Sequence, residues 1–106
     1  MSEEVFEFPL DEELKHFVRV VKRFEKGLES FVVVYYVLEG EKRVPLVTFD
    51  LCHGFPHRDL RFLPAGEKRR KKLLEGKRLE ALVEEALDDV YRNWRKYFDE
   101  YVRGRE

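Results

Sequence analysis

Apolar positions in the first half of the chain follow a period of two residues, which is typical of β-strands. In residues 16–25, Val18, Val20 and Phe24 fall on one face of an extended strand. The same segment also fits helical spacing through Phe17, Val20, Val21 and Phe24. Strand is favoured because a hairpin-length turn at Gly27 leads directly into the next apolar run.

Three further strands are predicted after that turn. The continuous apolar and aromatic run Phe31–Leu38 predicts a central strand, and Gly40 supplies the positive φ of a hairpin turn. The partner strand is predicted over Arg43–Leu51, with Pro45 marking an edge or a bulge. Residues Leu60–Leu63 add a fourth strand before Pro64 and Gly66.

The pattern changes to a helical period after Gly66. A short, very basic helix is predicted over Glu67–Leu74, and Gly76 ends it. A second helix of about 25 residues, roughly 35 to 40 Å long, is predicted from an apolar stripe that runs from Leu79 to Tyr101. The predicted fold class is therefore α+β: an antiparallel meander of three to four strands packed against a long C-terminal helix.

Composition limits the class of protein further. The 106 residues predict a single domain, with an N-terminal arm over residues 1–15, the sheet and a histidine loop over 16–63, and helices over 67–103. No apolar run approaches a membrane span, the first residues are acidic, and a single cysteine forms no internal disulfide. These features predict a cytoplasmic protein without membrane contact. Charged residues reach 41% at a net charge of −1, a balance typical of thermophile proteins.

The segment from Asp50 to Asp59 concentrates the candidate chemistry. It holds two histidines, two aspartates and an arginine on a predicted loop braced by Gly54 and Pro56. Two imidazoles form an acid–base pair near neutral pH, an adjacent cation stabilises charge on a phosphate, and a carboxylate orients a ring. The residues predicted for this site are His53, His57, Arg58, Asp50 and Asp59.

Two alternatives for this segment remain open. His53, His57 and Asp59 would form a three-ligand site for zinc, manganese or iron, although Gly54 and Pro56 remove the helical geometry that such histidine spacing usually needs. In the structural alternative, Asp50 only accepts backbone N–H bonds in the turn, and Arg58 and Asp59 only form a solvated pair. His16, isolated between Lys15 and Phe17, is interpreted as structural.

A basic run is the second candidate for function. The five consecutive residues would attract a polyanion such as RNA, or would form a solvated helix face. A different surface arises if Trp94, Tyr97 and Tyr101 extend past the sheet, where they would mark a homodimer or partner surface. The residues of the run are Lys68, Arg69, Arg70, Lys71 and Lys72.

The chain resembles small prokaryotic proteins related to the TumE-like toxins of toxin–antitoxin systems. The likeness covers roughly residues 16–101. It rests on the valine-rich strand, on Asp50 followed by the run from His53 to Asp59, on the basic segment and on a last helix with Trp94. The resemblance implies action on RNA and a co-encoded antitoxin protein as partner.

The sequence leads to three functional hypotheses. The first is an RNA-directed phosphodiesterase of toxin type that needs no cofactor, with His53 and His57 as acid–base pair and Arg58 as phosphate contact. The second is a non-catalytic module that binds RNA or a protein. The third is a hydrolase that depends on a divalent metal.

Overall fold

The structure, a computed structural model, describes residues 1–52, 55–74 and 78–105. Six strands form one antiparallel sheet in which every strand pairs with its neighbours in sequence, and one helix follows. The elements are β1 (Ser2–Pro9), β2 (His16–Phe24), β3 (Leu28–Glu39), β4 (Lys42–Cys52), β5 (Phe55–Leu60), β6 (Lys71–Leu73) and α1 (Leu79–Gly104). The α+β class and the long C-terminal helix are confirmed.

The central strands form where the sequence predicts them. Branched and aromatic side chains fit the pleated surface of β2, β3 and β4, and Gly40 turns the β3–β4 hairpin at a φ of 64°. The predicted irregularity at Pro45 is confirmed, because the β3–β4 register shifts between Tyr35 and Tyr36, beside the proline.

The sheet has two more strands than the largest predicted number. Residues predicted as an N-terminal arm contain β1, which pairs with β2 along its whole length. The predicted fourth strand corresponds to β5. It was placed at Leu60–Leu63, but β5 spans Phe55–Leu60, so the strand begins five residues earlier than predicted. The predicted basic helix over Glu67–Leu74 is wrong: turns lead into β6, whose pairing with β5 overrides the helix propensity of its lysines.

The helix α1 covers one face of the sheet. Its apolar stripe packs against alternate residues of β2, β3, β4 and β5, which strand parity places on the same side. Trp94 and Tyr97 are buried in this layer, so they do not extend past the sheet as a partner surface. The helix contributes Leu82, Val83, Ala86, Val90, Trp94 and Tyr97 to the core.

No helix in the described ranges is long and apolar enough to cross a membrane.

Candidate nucleic-acid interface

The predicted histidine loop is, in the described residues, a pair of adjacent strands. Asp50 of β4 lies directly opposite His57 of β5, and Phe49 lies opposite Arg58. Because successive side chains of a strand point to opposite faces, His57 and Arg58 lie on different sides of the sheet. The adjacency of Arg58 and His57 in sequence therefore does not bring them to one site.

Three of the predicted residues share the sheet face that α1 leaves uncovered. Strand parity and register place Asp50, His57 and Asp59 there. The Nδ1 atom of His57 lies 2.9 Å from the carbonyl oxygen of Phe55, and a carbonyl only accepts, so Nδ1 carries the proton. In the neutral ring, Nε2 then keeps a free lone pair. Asp59 accepts a hydrogen bond of 3.0 Å from Nε of Arg70, so its charge is already balanced.

Arg58 lies on the opposite face, under α1, where it lines a basic cleft. The cleft has a volume of about 410 Å³ and lies between β5, the basic segment before and within β6, and the last turns of α1. Among the described residues, cations outnumber carboxylates along its lining. The cations are Arg58, Lys68, Arg69, Lys72 and Lys96, and the carboxylates are Asp89 and Glu100. Lys71 also lines the cleft, but it pairs with Asp59, so its side chain leaves the other face of the sheet.

Two cations of the cleft are neighbours across strands. Arg58 of β5 and Lys72 of β6 occupy directly opposed positions, so their side chains leave the same face of the sheet. Like charges in opposed positions destabilise a sheet. The Nε atom of Arg58 is buried and has no hydrogen-bond partner among the described residues. An anion bound between the two side chains would offset the repulsion between them.

A hydrogen-bond network on α1 supports Arg58 from the other side. The Tyr97 hydroxyl donates to the Asp89 carboxylate at 2.9 Å, and Nδ2 of Asn93 donates to the same carboxylate at 2.5 Å. Burial raises the pKa of Tyr97, and the charge and hydrogen bond of Asp89 raise it further. Arg58, which bonds the Tyr97 hydroxyl, lowers this pKa, but the net effect is an increase. Asp89 is therefore already engaged within the helix by Tyr97 and Asn93.

Glu100 is engaged at the rim of the cleft. An oxygen of Glu100 lies 3.6 Å from the guanidinium of Arg69, which also lies 4.0 Å from a carboxylate oxygen of Glu67. Exposed ion pairs of this kind contribute about 0–1 kcal/mol. A polyanion that enters the cleft can therefore displace Glu67 and Glu100 from Arg69 at little cost in free energy.

The predicted metal site is incomplete in the described residues. His53 lies outside them, and Asp59 is bound to Arg70. In the described ranges, no three histidine, cysteine, aspartate or glutamate side chains are grouped as metal ligands are.

His16 is part of the core, where it contacts aromatic rings. It is 7% exposed, and its Nδ1 lies 2.8 Å from the hydroxyl of Tyr35. The rings of Trp94 and Phe98 lie 4.6 and 4.7 Å from the imidazole, centroid to centroid. Burial lowers the pKa of His16 more than the nearby Asp11 carboxylate raises it. These contacts agree with the structural interpretation of this residue.

Sequence reasoning missed the helical half of the cleft. Helical periodicity could have identified its residues. Four polar positions of α1, spaced by four, three and four residues, lie along one side of the helix beside the apolar stripe. They are Asp89, Asn93, Lys96 and Glu100.

Comparison with known proteins gives a family and no activity. No curated protein and no solved structure matches the chain. A family model matches residues 1–106, the whole of the sequence. The chain therefore belongs to the family described as Domain of unknown function (DUF7718).

Proposed function

We propose that the protein is an RNA-binding module whose basic cleft holds the phosphate backbone. The observation that carries the proposal is the convergence of Arg58, Lys72 and Lys96, which come from β5, β6 and α1. Because the three elements belong to one packed fold, the backbone positions of these cations are set without a ligand, and only their side chains lose conformational entropy on binding.

The charge distribution favours a local polyanion site. The net charge of the chain is −1, so the molecule as a whole does not attract nucleic acid. Among the described residues, the cleft is instead lined by Arg58, Lys68, Lys72 and Lys96, while Asp89 is bonded within α1 and Glu100 pairs with Arg69. Phosphates that enter the cleft replace the repulsion between Arg58 and Lys72 with attraction and release counterions from the RNA.

The experiment measures the affinity for a fluorescent single-stranded RNA as a function of salt. Each lost phosphate contact reduces the slope of log K against log salt by about 0.7 for a single strand. We expect Arg58→Gln and Lys72→Gln to weaken binding and to reduce this slope. Lys26→Gln is the matched control, because Lys26 is exposed in the β2–β3 turn and lies outside the cleft. Equal loss in all three variants, or no binding by the wild type, would refute the proposal.

A second candidate function, an RNA phosphodiesterase that needs no metal, is favoured by the geometry of His57. Its protonated Nδ1 is fixed by the Phe55 carbonyl, so the neutral ring presents Nε2 as a base, and Asp50 lies directly opposite on β4. Arg58 lies on the other face, so the cations of this face beside Asp59 are Arg70, which is bound to it, and Lys71, which lies directly opposite it on β6.

Cleavage of the same RNA separates the two functions. Under the phosphodiesterase hypothesis, the wild type cleaves in the presence of EDTA, and His57→Ala removes cleavage while RNA affinity and thermal stability stay unchanged. Binding without cleavage leaves the binding module as the function of the cleft. Cleavage that EDTA removes would instead indicate the metal-dependent hydrolase.

A further inference from the structure

Strand β1 is a free edge of the sheet. In the part of the chain that the structure describes, it pairs with β2 on one side only, and all of its eight residues are exposed. Natural proteins usually protect such an edge with charged side chains, prolines, bulges or a covering segment, because free N–H and C=O groups recruit another strand. Of these devices, β1 carries three glutamates and, at its end, Pro9. Its register with β2 contains no bulge. The strand is therefore long and regular enough to pair again.

The hydrogen bonding at the end of β1 identifies which backbone groups are free. Leu10 donates its N–H to the carbonyl of His16, 2.8 Å away, and this pair continues the register of β1 with β2. Bonded positions alternate along an antiparallel pair, so the even residues of β1 bond β2. The odd residues direct their N–H and C=O groups outward. These are Glu3, Val5, Glu7 and Pro9, of which Pro9 has no N–H.

We propose that β1 pairs with β1 of a second copy, in antiparallel orientation about Val5, and so forms a symmetric dimer. In this register Val5 lies opposite Val5 of the second copy, and Glu3 lies opposite Glu7. Each of the three pairs exchanges two backbone hydrogen bonds, so every free N–H from Glu3 to Glu7 finds an acceptor. Pro9 falls just outside the paired segment. The outward positions of β1 are thus complementary to themselves.

The glutamates of β1 do not oppose this pairing strongly, because each is already engaged in its own copy. Glu3 accepts a hydrogen bond of 3.0 Å from Arg23. Glu7 accepts a bond of 2.6 Å from the Tyr36 hydroxyl and lies 3.8 Å from Arg19. Each opposed pair of carboxylates would therefore be flanked by two arginines, which balance its charge.

Apolar side chains add to the same interface. Val5 is 46% exposed, and the stacked rings of Phe6 and Phe8, whose centroids are 6.3 Å apart, are exposed on the other face of the strand. In the proposed register the two copies of Phe6 are diagonal neighbours, which is within reach of aromatic rings. Pairing covers part of this exposed apolar surface. The two basic clefts lie beside β6, at the opposite edge of each sheet, and stay open.

Substitutions at Val5 test the pairing through the backbone. Val5→Pro removes an N–H that the monomer does not use but that both central hydrogen bonds of the dimer need. Val5→Thr is the matched control, since it keeps the N–H and the β-branched side chain. In analytical ultracentrifugation we expect a dimer, twice the chain mass of 12.9 kDa, for the wild type and Val5→Thr. Val5→Pro should raise the dissociation constant by at least about tenfold.

A second variant and a second readout keep the test decisive. Val5→Lys keeps the N–H but places a charge at the centre of the edge, and should also dissociate the dimer. Far-UV circular dichroism establishes that each variant is folded. A wild type that stays monomeric at high concentration would overturn the proposal, as would a dimer that both variants retain. Species that grow beyond a dimer with concentration would indicate head-to-tail pairing of β1 with β6, and would also overturn it.

Discussion

His16 is a titratable residue enclosed by aromatic side chains, and its environment favours the neutral form. The imidazole contacts the rings of Trp94 and Phe98, and it shares a hydrogen bond with the Tyr35 hydroxyl. Tyr35 is fully buried, and burial raises the pKa of its hydroxyl. The hydroxyl therefore stays protonated and can donate to Nδ1 of a neutral His16.

This environment makes folding stability depend on pH. Burial lowers the pKa of folded His16 below its ordinary value of 6.5, so the unfolded chain binds the proton more readily. Stability is therefore complete above pH 6.5 and falls as the pH decreases below that value. We expect His16→Asn, whose Oδ1 can accept the Tyr35 bond, to lose less stability than the wild type between about pH 7.5 and 5.5.

Urea unfolding at those two pH values measures the difference. His16→Asn is expected to be less stable than the wild type at the higher pH, because it loses aromatic contacts, and the two curves should approach each other at the lower pH. An identical loss of stability with acid in both proteins would show that folded and unfolded His16 bind the proton equally well, which would contradict the prediction.

At the scale of elements, the sequence predicts the strands that supply their own signal. Branched residues alternate in β2 and run continuously in β3, and α1 has a long helical stripe. The strands β5 and β6 carry little such signal, because β5 contains Pro56, His57 and Arg58, and β6 contains two lysines. β5 is extended because it pairs with the edge of β4, and β6 is extended because it pairs with β5. Both are effects of tertiary context.

The candidate site also has a part that the sequence predicts and a part that depends on tertiary packing. The sequence concentrates Arg58 and the basic run within one short segment, and Arg58 and the run line the cleft, except for Arg70, which is bound to Asp59. It does not show that α1 closes the cleft, because Lys96 approaches Arg58 only after the helix packs on the sheet. The predicted proximity of His57 and Arg58 depended on a loop. In a strand, neighbours in sequence point to opposite faces.

Packing of α1 on the sheet gives a prediction for the helix as a whole. Leu82 is 2% exposed and contributes to the core near the start of α1, whereas Tyr91 is 51% exposed on the same helix. We expect Leu82→Ala to reduce the free energy of unfolding by about 2–5 kcal/mol, since it leaves a cavity. Tyr91→Ala should change it by no more than about 0.5 kcal/mol. Chemical denaturation of both variants measures these values, and a similar loss for both would contradict the packing.

On the scale of the whole molecule, charge is separated across the sheet. Acidic residues gather at the β1 edge and in the turn after it, where Asp11, Glu12 and Glu13 follow Glu3, Glu4 and Glu7. The basic segment and β6 lie at the other edge. The glutamates Glu3 and Glu7 are paired with Arg23 and Arg19, so the unbalanced positive charge of the molecule lies at the β6 edge. Such a field orients an approaching polyanion toward the cleft.

Anion binding in the cleft should therefore stabilise the folded protein. A ligand that binds only the folded state adds about 2.7 kcal/mol at a concentration of 100 times its dissociation constant. For a domain of this size, each kcal/mol raises Tm by roughly 4–8 °C. We expect tripolyphosphate to raise Tm by several times more than sodium chloride does at equal ionic strength, as measured by scanning calorimetry.

The cleft variants assign this stabilisation to Arg58 and Lys72. Without a ligand, Lys72→Gln removes a repulsive cross-strand pair and should leave Tm unchanged or slightly higher. With tripolyphosphate, it should lose most of the increase that the wild type shows, while the Lys26→Gln control keeps it. The opposite signs with and without ligand follow from a single cause, because the charges that repel each other in the empty cleft are the ones that bind the anion. An equal increase in Lys72→Gln and Lys26→Gln would show that the anion acts elsewhere on the protein.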